Sequence, residues 1–155
     1  MTITVSSPIT GASQTGLTSP TFTLTSDTAP NANSKQYAVT ALGGTQTGVD
    51  THSVSKPFTI TVYRPQTLRV LGTPNPVTGV VTSVPRNVYG VLTRKGVSPL
   101  SGQPNAVMLI RTSIEVPAGS DTVEPEDIRA ALSAHIGALS QTSSGIGDTA
   151  VSGVL

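Results

Sequence analysis

The chain of 155 residues has no cysteine and no tryptophan, and only two phenylalanines and three tyrosines. Without cysteine there is no disulfide framework, no thiol nucleophile and no thiolate metal site. The longest apolar run is the five residues Ala106-Val107-Met108-Leu109-Ile110, against the ~18 needed to cross a bilayer. The first residues lack the basic and apolar regions of a secretory leader, so neither membrane insertion nor Sec export is expected. Charge is sparse as well: nine Lys/Arg against eight Asp/Glu leave a net +1, which taken alone argues against a nucleic-acid partner. What the chain does have is hydroxyl groups, 24 Thr and 18 Ser, together with 39 Val, Ile, Leu and Phe. Those 39 are about a quarter of the chain, above the roughly one-fifth below which disorder is expected. The length favours one domain over 1–155.

The charges are segregated along the chain. Residues 1–50 carry Asp27, Lys35 and Asp50, while residues 51–114 carry Lys56, Arg64, Arg69, Arg86, Arg94, Lys95 and Arg111 and no acid. Residues 115–155 carry Glu115, Asp121, Glu124, Glu126, Asp127 and Asp148 against Arg129 alone. The middle is therefore +7 and the end −5. Such a middle segment is suited to phosphate, with the acidic end facing elsewhere.

From the N-terminus to about residue 117 the apolar residues alternate with Thr, Ser or basic residues at period two, the signature of half-buried antiparallel strands. Strands are predicted at Thr21–Thr25, Tyr37–Leu42, Phe58–Tyr63, Asn87–Lys95 and Val107–Val116. Phe58, Ile60 and Val62 share one face, leaving Thr59, Thr61 and Tyr63 on the other. Met108, Ile110, Ile114 and Val116 likewise oppose Leu109, Arg111, Ser113 and Glu115. Residues 72–76 and 98–105 are loops by their Pro, Gly and Asn content. After Pro65 a strand is expected to resume at Leu68-Arg69-Val70-Leu71, making a bulge or an edge.

After Pro117 the period changes. Pro125 suits the first turn of a helix, with Glu124 as N-cap and Glu126 and Asp127 complementing the helix dipole. Ile128, Leu132, Ile136 and Leu139 then follow at spacings of four, four and three, one apolar stripe on a helix of about four turns. Ser144-Gly145-Ile146-Gly147-Asp148 is expected to end that helix. Thr149–Leu155 is a tail too apolar for water, expected to dock, on another subunit if not on its own. A β-rich part over about 1–117 and a helical arm over about 124–155 result.

Enzyme chemistry finds little support. His135 lies beside the apolar stripe, where a hydrogen-bonded packing role is expected, and His52 falls in a Thr/Ser-rich loop, where solvation is expected. No nucleophile elbow, phosphate-binding loop, zinc-protease helix or EF-hand spacing is present. The cluster Asp121, Glu124, Glu126 and Asp127 reads as a helix-start dipole complement or, through oxygen ligands, as a calcium site at a subunit interface. No other cofactor or metal is expected, and no enzyme activity.

Over about 106–155 the chain resembles the coat proteins of the single-stranded RNA bacteriophages. The likeness is carried by the strand ending Ile114-Glu115-Val116-Pro117, the acidic turn, the helix Ile128-Arg129-Ala130-Ala131-Leu132-Ser133-Ala134-His135-Ile136-Gly137-Ala138-Leu139, and Ser144-Gly145-Ile146 near the C-terminus. The resemblance implies an α+β fold: an N-terminal hairpin and a five-stranded antiparallel sheet followed by C-terminal helices that interlock with those of a second subunit. It also implies a homodimer that assembles into an icosahedral shell around single-stranded RNA in the host bacterial cytoplasm, so that the protein ends in the virion. In several members the sheet also binds an RNA hairpin as a translational repressor. The dimer interface then falls on Ile128, Leu132, Ile136 and Leu139. The RNA-facing set falls on Thr59, Thr61, Tyr63, Arg111 and Ser113, beside Leu109 and Glu115, with phosphate met by Arg64, Arg69, Arg94, Lys95 and Arg111. Arg94 and Lys95 point to opposite faces, and Gly90 leaves open which of them faces RNA. Compared with smaller members, the N-terminal region and the loop at 72–85 are longer, and Leu109 stands where a stacking aromatic is found. The reading from a different class is a Thr-rich β-sandwich binding module of a phage tail or surface adhesin.

Overall fold

β-branched residues alternating with small or polar ones dominate the first three-quarters of the chain, and strands form there. In the computed structural model, which describes residues 3–155, they are β1 (Ile9–Thr10), β2 (Thr18–Asp27), β3 (Ser34–Thr45), β4 (Phe58–Tyr63), β5 (Arg86–Val97) and β6 (Ala106–Pro117). All pair antiparallel with their sequence neighbours in a single meander, so β1 and β6 are the two edges. β1 and β2 make the N-terminal hairpin, with Ile9 opposite Phe22, and β2 to β6 form the five-stranded body. Register shifts between Thr18 and Thr21 and between Thr23 and Leu24 curl the β2–β3 side, because an extra residue on one strand bends and twists it. Among the described residues there is one sheet, so the two-sheet sandwich is not formed.

The core is small and central. Leu24, Ala38, Val39, Val62 and Ala118 are buried, Val39 completely. Phe22 and Phe58 meet edge to face with centroids 5.8 Å apart, an arrangement that adds to burial. The β3–β4 loop is drawn onto the sheet by His52: its backbone N–H donates to the Val39 carbonyl at 2.8 Å, and its Nδ1 accepts from the Phe58 N–H at 3.0 Å. His52 is thus half-buried and structural rather than solvated.

The segment 68–71 is not a strand. Its backbone is held by one side chain instead: Arg69 N–H donates to Asn87 Oδ1 at 2.8 Å, and Asn87 Nδ2 donates to the Arg69 carbonyl at 3.0 Å. A single amide satisfies what a ladder would otherwise pair, and Leu68, Val70 and Leu71 stay exposed.

Three helices follow β6: α1 (Ser120–Val123), α2 (Pro125–Gln141) and α3 (Ser143–Ser152). α2 opens on Pro125 with Glu124 at its N-cap position. The break after α2 comes at Thr142, and Ser144–Asp148, expected to be a breaker, is the first half of α3. Tertiary contact explains the helix there. Gln14 Nε2, from the β1–β2 loop, donates to the Ser143 carbonyl at 2.9 Å and to Ser143 Oγ at 2.7 Å. The Gln14 amide also lies against Gly147, where a Cβ would oblige it to move. Thr15 Oγ1 adds a bond to Asp148 Oδ2 at 2.9 Å. The tail is not docked on its own chain: Val151, Val154 and Leu155 are exposed.

Candidate nucleic-acid face and subunit edge

Residues directly opposite in an antiparallel pair project to the same side of the sheet, so the registers assign every strand residue to a face. One face carries Thr59 opposite Ala38 and Arg94, Thr61 opposite Gln36 and Leu92, and Tyr63 opposite Ser34 and Gly90. It continues across β5 onto Leu109, Arg111, Ser113 and Glu115 of β6. The other face carries Phe58, Ile60 and Val62, with Lys95 opposite Phe58 and Met108, and with Thr93 and Ile110 beside Ile60. The first face is polar and the second apolar.

This settles the geometry of Arg94 and Lys95. Arg94 shares the polar face with Thr59, Thr61, Tyr63, Arg111 and Ser113. Lys95 is on the apolar face, where its Nζ lies 4.4 Å from the centre of the Phe58 ring and donates to the Asp50 carbonyl oxygen. Partial burial there lowers the Lys95 pKa below its ordinary value, against the opposing pull of Asp50. Lys56 is also engaged, bridging Asp50 at 2.7 Å, and the same ion pair holds the Asp50 carboxyl below its ordinary range.

The seven cations of the middle segment are therefore not one surface. Arg86, Arg94 and Arg111 stand on the polar face, Lys95 on the apolar face, and Lys56, Arg64 and Arg69 in loops. Period two sends neighbouring strand residues to opposite sides, so a run of like charges in sequence divides in space. Arg64 follows β4 in a turn fixed by Asn33, whose carbonyl accepts the Arg64 N–H at 3.0 Å. It lines, with Lys35, Val62, Tyr63 and Tyr89, a cavity of about 350 Å³ at that end of the sheet.

Within the polar face the two threonine hydroxyls are nearly closed off, Thr59 at 2% and Thr61 at 3% exposure. Thr61 Oγ1 donates to Gln36 Oε1 at 3.0 Å, and Gln36 Nε2 donates to Asp27 Oδ2 at 2.7 Å. That amide, with the Thr28 N–H, holds the Asp27 carboxyl below its ordinary range. Thr59 Oγ1 has no hydrogen-bond partner and is buried. Gly90 lets Tyr63 lie across β5, because a Cβ at that position would strike the Tyr63 ring. Gln36 and Asp27 belong to this face and were not visible in the sequence pattern, whereas Arg86, one of the seven middle-segment cations, takes its place on it. Only the β2–β3–β4 register, which joins residues 27, 36 and 61, brings the first two to Thr61.

The β6 edge and the helical arm are the least covered parts. Every residue of β6 from Ala106 to Arg111 is exposed. Beyond it, Ile114 and Val116 are half-buried while Ser113 and Glu115 are exposed, which places α2 over the apolar face. A shallow cleft between them is lined by Ile114, Val116, Ile128, Ala131, Leu132 and His135. His135 itself is exposed rather than packed. Of the stripe, Ile128 and Leu132 are half-buried, but Ile136 is 63% and Leu139 41% exposed. No residue of α2 or α3 is fully buried. Asp121, Glu124, Glu126 and Asp127 do not converge: among the described residues no three His, Asp or Glu side chains are grouped to hold a metal ion.

No protein-family model and no curated protein matches the chain significantly. Solved structures do. The virus-like particle of Beihai levi-like virus 32 superimposes with a TM-score of 0.52 at 17% identity, covering 86% of this chain and 88% of that one, a likeness of fold. The virus-like particle of bacteriophage ESE020 superimposes with a TM-score of 0.96, covering 99% of this chain and 100% of that one. With 62% of its residues identical to that protein, and the same curled sheet followed by C-terminal helices, the chain belongs to the coat proteins of the RNA bacteriophages, a structural and non-enzymatic family.

Proposed function

We propose that two copies of this chain join along β6, interlock their helical arms over the apolar face, and assemble into an icosahedral shell that packages single-stranded RNA. The observation that carries this reading is the uncovered helical arm. Ile136 and Leu139 continue the stripe begun by Ile128 and Leu132 but stay 63% and 41% exposed in the single subunit. Removing each such side chain from water is worth about 1.5–3 kcal/mol, so a partner that covers both arms stabilises the folded state by mass action. The relative's description as a virus-like particle supports the same conclusion.

In the dimer β6 pairs with its counterpart, which covers the β6 edge of each copy and makes one sheet with a continuous polar face. That face, with Arg86 and Arg94 on β5, Arg111 on β6 beside the seam, and Tyr63 lying over Gly90, meets the genome. The acidic arm lies on the opposite side. Phosphate contacts by arginine position RNA without reading its sequence, which fits general packaging. Assembly takes place in the host bacterial cytoplasm, where the RNA is made.

Expression followed by negative-stain electron microscopy tests the proposal. Closed particles from which RNA can be extracted are expected, with RNA affinity falling steeply as salt rises. A protein that stays monomeric with RNA present, and forms no particles, would refute it.

A further inference from the structure

We infer that the two β6 strands pair about a two-fold axis at Ser113, setting Arg111 of each copy against Glu115 of the partner subunit. This register rests on the edge-to-edge dimer proposed above and specifies it. In β6, odd-numbered residues from Val107 to Glu115 point to the polar face and even-numbered ones to the apolar face. A partner strand that keeps polar beside polar must place odd residues opposite odd ones. The axis therefore passes through a residue rather than between two.

Charge selects that residue. An axis at Arg111 sets the two Arg111 guanidinia against each other, and an axis at Glu115 does the same with two carboxylates. Like charges directly opposite destabilise a sheet. An axis at Thr112 puts Leu109 opposite the partner's Glu115, and one at Ile114 puts Arg111 opposite the partner's Pro117. Only the axis at Ser113 sets both charges against their opposites, twice by symmetry. It also aligns Leu109 with the partner's Pro117 on the polar face, and Ile110 with the partner's Val116 on the apolar one.

The single subunit leaves the required groups free. Arg111 is exposed, and among the described residues no carboxylate lies within ion-pair distance of it. Glu115 has one oxygen on Arg86 Nη1 at 3.3 Å with its side chain still 50% exposed, so its other oxygen is open to a second guanidinium. At the seam Arg86, Glu115 and the partner's Arg111 then alternate in sign. Arg111 shares its charge with a carboxylate, and Arg94 remains the unshared strand cation of the polar face.

The absence of native cysteine makes single-cysteine variants clean reporters. In Ser113→Cys particles the two sulfurs face each other across the axis, and oxidation is expected to convert the subunits to covalent dimers on a non-reducing gel. Thr112→Cys and Ile114→Cys are expected to stay monomeric on the gel, because each Cα is about 8 Å from its symmetry mate, beyond disulfide reach. Arg111→Glu and Glu115→Arg should each weaken the dimer about tenfold, and exchanging the two charges together with Arg86→Glu, which keeps an opposite charge beside position 115 in its own subunit, should restore it. Cross-linking at 112 or 114 in place of 113, or an exchange that fails to restore, overturns the register while leaving the dimer intact. Particles in which no β6 position cross-links overturn the edge-to-edge dimer itself.

Discussion

The sheet and the helical arm draw on the same modest supply of apolar side chains, and they end in opposite states. Around β3 and β4 the sheet buries Ala38, Val39 and Val62, pairs its backbone on both sides and ties down its long β3–β4 loop through His52. The arm, over α2 and α3, buries nothing fully although its stripe is as regular as any strand. The difference lies in where the complementary surface is found. A strand in a meander finds it a few residues away in sequence. The α2 stripe finds half of it, over Ile114 and Val116, and the remainder, at Ile136 and Leu139, stays exposed in the single subunit. A helix that isolated gains little from intrinsic propensity and takes its stability from packing of its apolar face.

The contrast can be broken most severely in the arm. Leu132→Asp puts a charge where the apolar faces meet, and the expected result is loss of dimers and particles by size exclusion and microscopy, with the strand signal in circular dichroism retained. A dimer that survives the substitution would mean the arm is not the joining element. Val39→Ala is the counterpart in the sheet. It removes buried methyl groups from the best-packed position, and urea denaturation should show a loss of about 2 kcal/mol. That loss belongs to the subunit's own core, whereas Ile136→Ala should show its effect as a shift in concentration dependence.

Smaller effects sharpen the division between the two faces of the sheet. Arg94→Ala should reduce the log–log salt slope of RNA binding by about one, with Lys95→Ala leaving that slope unchanged. Lys95→Ala should instead cost about 0.5–1 kcal/mol of stability through the lost contact with Phe58. Equal slopes for the two variants would erase the distinction between the faces. The smallest effect is the acid limb of stability. Asp27 and Asp50 titrate in the folded protein below their ordinary value of 3.8. Each therefore contributes stability that is present above that value and is lost as the pH falls through the folded-state pKa. Asp50→Asn should flatten this part of the pH–stability curve below pH 4 and leave the neutral region nearly unchanged, as measured by thermal melting at a series of pH values.

Much of this was legible in the residues. The alternation Phe58-Thr59-Ile60-Thr61-Val62-Tyr63 coincides with β4, and Pro125 opens α2. Both are local signals, period two in one case and a missing N–H in the other, and local signals survive folding. The errors came where a distant residue decided. Leu68–Leu71 has strand composition but is fastened by Asn87, 18 residues beyond Arg69. Ser144–Asp148 has the composition of a helix breaker but is helical where Gln14 meets Ser143 and Gly147, from more than 120 positions away in sequence. His52 carries no motif at all, since its role is set by the Val39 carbonyl and the Phe58 N–H to which it is bonded.

The scarcity of cysteine, aromatic residues and long apolar runs determined what this chain is not, and its periodicities determined that strands come first and helices last. The face each residue occupies was determined too, one strand at a time. Which strands lie side by side, and hence that Arg94 joins Tyr63 and Arg111 while Lys95 lies over Phe58 on the other side, was decided only by the tertiary structure. Registers are set by the summed packing of five long strands and their bulges, and a shift of one residue would turn every side chain of a strand to the opposite face. The run of seven cations that stood out in the sequence was real as a run. Folding parted it into polar-face arginines, a buried-side lysine and loop charges, because adjacent residues on a strand cannot share a side.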